Sequence, residues 1–234
     1  MEYALGKGKS SLQFDVKEVY RHIRTNIGFS NISNKIKVIN LTSTQPGEGK
    51  TTTAINLAIA YAGIYENVLL IDCDLRKPQI HKYFKMSNKE GLSNFVLDYA
   101  TTGNFKLADI KKITDSSFKG ALSILPAGIH VPNPGELIES DNFKKFIEYL
   151  RHYYDFIIID CPPIGAVADA IPLSNVSDGT VFVCSSQDTD KRAAKTAVEN
   201  LKRSNVNLLG TVLTKVEPDH TGRYGYYSYD YYGK

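Results

Sequence analysis

The chain contains no tryptophan, no strong excess of either charge and no apolar run of the ~18 residues that a membrane-spanning helix needs. A net charge of +3 falls well short of the basic footprint of nucleic-acid binders, so no nucleic-acid partner is expected. Met1 to Ser11 hold no apolar stretch of the secretory kind, which makes the cytosol the expected location, with any membrane contact made through a partner. Cysteine is scarce and unpaired in spacing: Cys73, Cys161 and Cys184 read as reduced thiols filling small core positions, not as metal ligands. No segment repeats. What is present in excess is tyrosine, 15 in all, six of them within the last eleven residues.

With 234 residues and a hydrophobic fraction of 42%, the chain has enough apolar material for one large α/β domain. Short apolar runs rich in β-branched residues predict strands at 37–43, 67–72, 121–128, 155–160, 179–185 and 207–216. Helical spacing of Val16, Val19, Tyr20, Ile23 and Ile27 predicts a helix over 15–29, with Asp15 as its N-cap. Further helices are expected near 51–63, 79–84, 92–99, 134–140, 142–153, 168–175 and 190–204. Strands that are continuously apolar and alternate with helices predict a mostly parallel sheet covered on both faces. The expected organisation is a flexible arm at 1–14, a nucleotide-binding domain at 15–216 and a Gly/Tyr/Ser/Asp-rich tail at 217–234.

The segment Ser43-Thr-Gln-Pro-Gly-Glu-Gly-Lys-Thr-Thr52 falls between a predicted strand and a predicted helix, the setting of a phosphate-binding P-loop. Gly47 and Gly49 let backbone N–H groups turn toward phosphate oxygens, and the helix N-terminus adds its partial positive charge. Pro46, Gly47, Glu48, Gly49, Lys50, Thr51 and Thr52 are the candidate ATP contacts, with Lys50 directed at the β- and γ-phosphates and Thr51 at Mg2+. Thr44 stands where the usual pattern has its first glycine.

Two predicted strands end in acid: Val68-Leu-Leu-Ile-Asp72-Cys-Asp74-Leu-Arg76 and Ile157-Ile-Ile-Asp160-Cys-Pro-Pro163. Ligands of parallel α/β sheets lie at the carboxyl ends of strands, so Asp72, Asp74 and Asp160 should converge on the loop. Asp160 is the candidate Mg2+ holder. Asp72 is a candidate for the metal's shell or for taking the proton of a hydroxyl nucleophile, and Asp74 for the same work from further out. Arg76 can contact phosphate or pair with a carboxylate. The competing structural role for these acids is to cap the helices that follow them.

At the C-terminus, Tyr224, Tyr226, Tyr227, Tyr229, Tyr231 and Tyr232 are interleaved with Gly, Ser and Asp, in a spacing neither helical nor alternating. Such a segment cannot bury its rings locally and reads as an exposed tail able to present hydroxyls to an active site. Glu18, Arg21 and Arg24 fall within roughly 120° of one helical face. Their spacing alone describes a solvated face with i, i+3 pairing.

Taken together these segments resemble the cytoplasmic kinase component of bacterial tyrosine kinases of the Gram-positive capsule and exopolysaccharide type. Residues 46–51 are similar to that family's first Walker motif, 72–76 to its A′ motif and 157–163 to its Walker B motif. Val131-Pro-Asn-Pro-Gly-Glu-Leu137 is similar to another typical segment, and Glu18-x-x-Arg21-x-x-Arg24 to an assembly motif. The resemblance implies a P-loop NTPase fold, transfer of the γ-phosphoryl of ATP to tyrosine with Mg2+, and the six tail tyrosines as acceptors. It also implies a ring-like homo-oligomer joined through Glu18, Arg21 and Arg24, a separate transmembrane activator, a protein-tyrosine phosphatase and further protein substrates. An ATP-driven dimerising switch of the partitioning or division type is the alternative within the same superfamily; those proteins carry an additional lysine early in the loop, absent here at Thr42 and Ser43. Related ATPases carry Asn-Lys at the end of the last strand, where this chain has Thr214-Lys215.

Overall fold

The computed structural model describes residues 16–30, 36–103, 110–167 and 169–217. Asp15 and all six tail tyrosines lie outside the described residues. In chain order the elements are α1 (Val16–Phe29), β1 (Val38–Ser43), α2 (Lys50–Ala62), β2 (Asn67–Asp72), α3 (Ile80–Tyr83), α4 (Leu92–Thr102), β3 (Lys111–Ile113), β4 (Ala121–Leu125), α5 (Pro134–Glu139), α6 (Asp141–Tyr153), β5 (Phe156–Asp160), α7 (Ala170–Asn175), β6 (Gly179–Ser185), α8 (Lys191–Arg203) and β7 (Leu208–Thr214).

The strands form one seven-stranded sheet in the order β3-β4-β2-β5-β1-β6-β7. Every pair is parallel except β3 with β4. Strand residues alternate between two cores. Leu69, Ile71, Ile157 and Ile159 point to one face, where α4, α5 and α6 supply Phe95, Leu137, Phe143 and Phe146. Val68, Leu70, Phe156 and Ile158 point to the other, against Ala54, Ile55, Leu57 and Ala58 of α2. A smaller cluster seats Leu201 and Ala197 of α8 on Phe182 of β6. This two-sided burial is what the continuously apolar strands require, since the pleat sends alternate residues to opposite faces.

The doubly covered parallel sheet agrees with the sequence. The strand expected over 121–128 ends at Leu125, and a seventh strand, β3, was not foreseen. It has three residues, two of them exposed lysines, so it carries neither an apolar run nor a usable alternation. The stripe on α1 is as expected, with Ile27 buried and Tyr20 and Ile23 packed toward α2.

One polar cluster crosses the sheet interior. The Asn40 side chain donates to Ser174 Oγ (3.0 Å) and accepts from Thr180 Oγ1 (2.7 Å), joining β1 to α7 and β6. All three residues are buried. Replacing Asn40 with leucine leaves two hydroxyls facing an apolar group, a loss of about 1–3 kcal/mol. Urea unfolding of Asn40→Leu should show a lower midpoint with an unchanged slope.

Candidate active site

The loop from Ser43 to Lys50 joins β1 to α2 at the carboxyl edge of the sheet. Gly47 and Gly49 both adopt φ 88°, the left-handed region that glycine enters without steric cost. At Gly49 a side chain would also meet Thr214, with a Cβ 3.2 Å from its Cγ2. Among the described residues only Lys85, Asn205 and Lys215 are non-glycines of positive φ, so position 44 demands no left-handed residue and threonine is accommodated there.

Lys50 is buried, and its Nζ lies 2.5 Å from Asp160 Oδ1. The Thr51 hydroxyl donates to Asp160 Oδ2 at 2.6 Å. Burial alone would push the Lys50 ammonium down. The charge of Asp160 and its hydrogen bond, helped by Asp74, more than offset this and hold it above the ordinary lysine value. Both oxygens of Asp160 are therefore engaged by the lysine and threonine of the loop, the two residues assigned from the sequence to phosphate and metal.

Asp72 and Asp160 are register partners on adjacent strands, and both are buried. Burial, then the Asp160 charge, pushes the Asp72 carboxyl up to about 7, against the pull of the Ile80 N–H, Lys50 and the Gln79 N–H. Asp72 Oδ2 accepts from the N–H groups of Gln79 and Ile80, each at 3.0 Å, and Oδ1 from that of Asp74 at 3.2 Å. It thus caps the short α3 and fixes the turn between β2 and α3, the structural role considered for it. Asp74, not Asp72, lines the cleft.

That cleft, of about 470 Å³, is bounded on one side by loop residues Pro46, Gly47, Gly49, Lys50, Thr51 and Thr52, and on the other by Asp74, Arg76, Lys77 and Gln79. Arg76 is half-exposed but already paired: Nε and Nη2 donate to Asp169 Oδ2 and Oδ1 at 2.8 and 3.2 Å. Asp169 is buried and had no signal in the sequence, since a lone acid at the head of a short helix is indistinguishable from a cap. Pro162 and Pro163 line the cleft behind Asp160. Gly165 passes so close to the loop that a Cβ there would lie 2.3 Å from Thr44 O.

Glu48 departs from its assignment as a nucleotide contact. Its side chain is fully buried and turned back on the loop, with Oε2 accepting from the N–H groups of Thr44 (2.7 Å) and Gln45 (3.0 Å) and Oε1 from the Thr189 hydroxyl. A carboxylate spent on two loop amides stiffens the turn and is not available to a nucleotide. Thr214 also serves the loop: its hydroxyl lies 2.6 Å from Glu48 O and 3.1 Å from Cys184 O. Lys215 Nζ pairs with Asp188 Oδ2 at 2.5 Å.

Glu18, Arg21 and Arg24, expected to mediate assembly, are not gathered here. Arg21 pairs with Glu18 on the exposed face of α1. Arg24 turns inward and donates to Ala60 O near the C-terminus of α2 at 2.5 Å, so in this subunit it acts as a helix-end ligand.

The oxygen donors fit a magnesium ion. Thr51 Oγ1 and Asp160 stand together at the cleft, and hard oxygens of hydroxyl and carboxylate are its preferred ligands. No group of three or more His, Cys, Asp or Glu side chains is preassembled among the described residues.

The elevated Asp72 carboxyl has a consequence for stability. Its folded pKa of about 7 exceeds the ordinary 3.8, so the folded protein binds more protons between these values. Its contribution is fully present below about pH 4 and is lost as pH rises through about 7. In metal-free buffer, Asp72→Asn keeps an acceptor for the α3 amides but should flatten this fall. Melting temperatures of both proteins from pH 4 to 8 measure the difference.

Comparison with known proteins follows the same geometry. An AAA-domain family model matches residues 36–208. The tyrosine-protein kinase YwqD of Bacillus subtilis is 41% identical over 210 residues, covering 90% of this chain and 85% of its own. The putative tyrosine-protein kinase CapB of Staphylococcus aureus is 36% identical, covering 96% and 93%. The crystal structure of the chimerical protein CapA2B2 superposes with a TM-score of 0.75 at 37% identity, over 86% of this chain and 85% of that one. The extent of the match and the fold agree, and the chain belongs to the bacterial tyrosine-protein kinase family, built on a P-loop AAA-type domain.

Proposed function

We propose that this chain is an ATP- and magnesium-dependent protein-tyrosine autokinase that phosphorylates its own C-terminal tyrosines. The observation that carries the reading is the closed set Lys50–Asp160–Thr51 beneath a cleft whose opposite wall holds Asp74. Bound ATP with Mg2+ supplies the phosphoryl group and a cation that offsets charge developing on its oxygens.

The chain's own residues do the positioning. Backbone N–H groups of 47–52 and the N-terminus of α2 cradle phosphate oxygens, and Pro46 shapes the loop's entry. Lys50, kept charged by Asp160, neutralises the transferring group. Thr51 and Asp160 would hold the metal, with Asp72, the register partner of Asp160, beside them. Asp74 faces the cleft and receives the proton of the incoming tyrosine hydroxyl, while buried Asp72 fixes the turn on which Asp74 sits. Arg76, oriented by Asp169, faces the same space and steadies phosphate oxygens.

The acceptors are Tyr224, Tyr226, Tyr227, Tyr229, Tyr231 and Tyr232, presented by the tail at 217–234 beyond a kinase domain spanning 15–216. Transfer proceeds in trans within a ring-like homo-oligomer contacting through Glu18, Arg21 and Arg24. Arg24 must then exchange its contact with Ala60 for a neighbour. A separate transmembrane activator recruits it to the inner face of the plasma membrane; no helix among the described residues is long and apolar enough to cross a membrane. A protein-tyrosine phosphatase resets the tail, and the process served is capsule or exopolysaccharide synthesis.

The test is phosphosite mapping by mass spectrometry after incubation with ATP and Mg2+. Phosphate should appear on tail tyrosines in the wild type. Lys50→Met and Asp74→Asn should reduce it by at least ~100-fold, the scale on which lost charge stabilisation or general-base catalysis acts. Steady ADP release with no phosphotyrosine, even with an activator fragment supplied, would instead favour the dimerising switch ATPase.

A further inference from the structure

A second hollow, of about 540 Å³, opens beside the end of β4. Its floor is apolar and built from Phe95, Ile124, Leu125 and Pro126, and its rim carries Lys85, Lys89 and Lys111. The floor belongs to the core: Phe95, Ile124 and Leu125 are buried, and Phe95 stacks on Phe146. The three lysines are exposed, and none forms an ion pair among the described residues, although Glu90 lies on the same rim.

The rim is held in shape. Asn88 donates to Gly128 O at 2.8 Å and accepts from Gly128 N–H at 3.1 Å, which clamps the 85–90 loop onto the segment after β4. Leu92 N–H and Ser93 N–H donate to the carbonyls of Pro126 and Ala127. Lys85 is held at φ 50°, an uncommon conformation for a side-chain-bearing residue.

We propose that this hollow binds phosphotyrosine of the chain's own C-terminal tail. The inference rests on the proposed phosphorylation of that tail. A phosphotyrosine carries about −1.5 to −2 charges on its phosphate, and the rim of the hollow offers three exposed ammonium groups with no ion pair among the described residues. An unphosphorylated tyrosine would leave those lysines without a counter-charge, so the site discriminates the product from the acceptor.

Topology puts the tail within reach. Leu125 ends β4 in register beside Ile71 of β2, so the hollow opens at the same carboxyl edge as the phosphate-binding loop. β7 runs parallel to β6 and also ends at this edge. Five strand spacings separate β7 from β4, roughly 24 Å at ~4.8 Å each. The chain from Glu217 to Tyr229 can extend up to roughly 40 Å, and to Tyr232 roughly 50 Å. The later tyrosines therefore span the distance, whereas Tyr224, at most about 25 Å away, scarcely does.

Fluorescence anisotropy of a synthetic peptide tests the proposal. The peptide covers residues 222–234, with phosphate on Tyr229, Tyr231 and Tyr232, and is titrated with the phosphatase-treated full chain in EDTA. Because the phosphates are introduced chemically, the result does not depend on whether this chain catalyses their transfer, which phosphosite mapping decides separately. The phosphopeptide should bind at least ~10-fold more tightly than the unphosphorylated one, as three charge-assisted contacts imply. Lys85→Ala/Lys89→Ala/Lys111→Ala should abolish that preference. A control with equal charge loss on α8, Lys191→Ala/Lys195→Ala/Lys202→Ala, should preserve it. Equal binding of both peptides, equal loss in the two triple variants, or loss only in Lys50→Met would overturn the assignment.

Discussion

The carboxylate of Asp160 is the point on which the site turns. It ends β5, the strand between β2 and β1, and its two oxygens hold Lys50 and Thr51 of a loop that begins on a neighbouring strand. A charge this deeply buried is tolerated because it is matched by an ammonium and a hydroxyl. The same match keeps Lys50 in the protonation state that phosphate chemistry requires. The main chain contributes too: Cys73 N–H donates to Asp160 O and Cys161 N–H to Leu41 O, so the three strand ends are stitched together beneath the cleft. Moving Asp160 would displace the phosphate loop, the acid-bearing turn after β2 and the Pro162–Pro163 wall together.

Around that centre the loop is held at its back as well as at its front. Glu48 ties the Thr44 and Gln45 amides, reaches Thr189 after β6, and through its carbonyl meets Thr214 at the end of β7. Gln45 adds a bond to Asp188 O. The segments following β6 and β7 are thus mechanically part of the phosphate loop, though they lie far from it in sequence. This arrangement also explains the threonine at 214: its hydroxyl anchors the loop, and the side chain that Gly49 leaves room for is this one.

The sequence made the sheet, its parallel sense and the loop readable because each leaves a local mark: apolar β-branched runs, a helix stripe, a Gly-x-Gly-Lys-Thr turn. It also brought Lys50, Thr51 and Asp160 into one prediction that the coordinates join by direct bonds. What it did not disclose depends on pairing across the chain. Asp169 becomes meaningful only when Arg76 is seen to fork onto it, and Glu48 only when its side chain is seen to turn inward. Asp72 and Asp74 look alike two residues apart, yet one is buried as a cap and the other faces the cleft. β3 was silent because strand identity there comes from its neighbour, not from three residues with two lysines. Arg24 matches an assembly pattern, but its contact within the subunit is with the end of α2.

The parallel direction of β7 fixes where the chain leaves the domain. Had the last strand run antiparallel, Glu217 would emerge at the opposite edge, its seven residues adding roughly 23 Å of separation. Instead the segment that follows starts within bonding distance of the phosphate loop, since Thr214 touches it. On the proposed autokinase reading, a segment leaving at this edge would hold its hydroxyls near the clefts of the assembly at an effective concentration on the order of millimolar. At that concentration an acceptor would need little intrinsic affinity for the cleft.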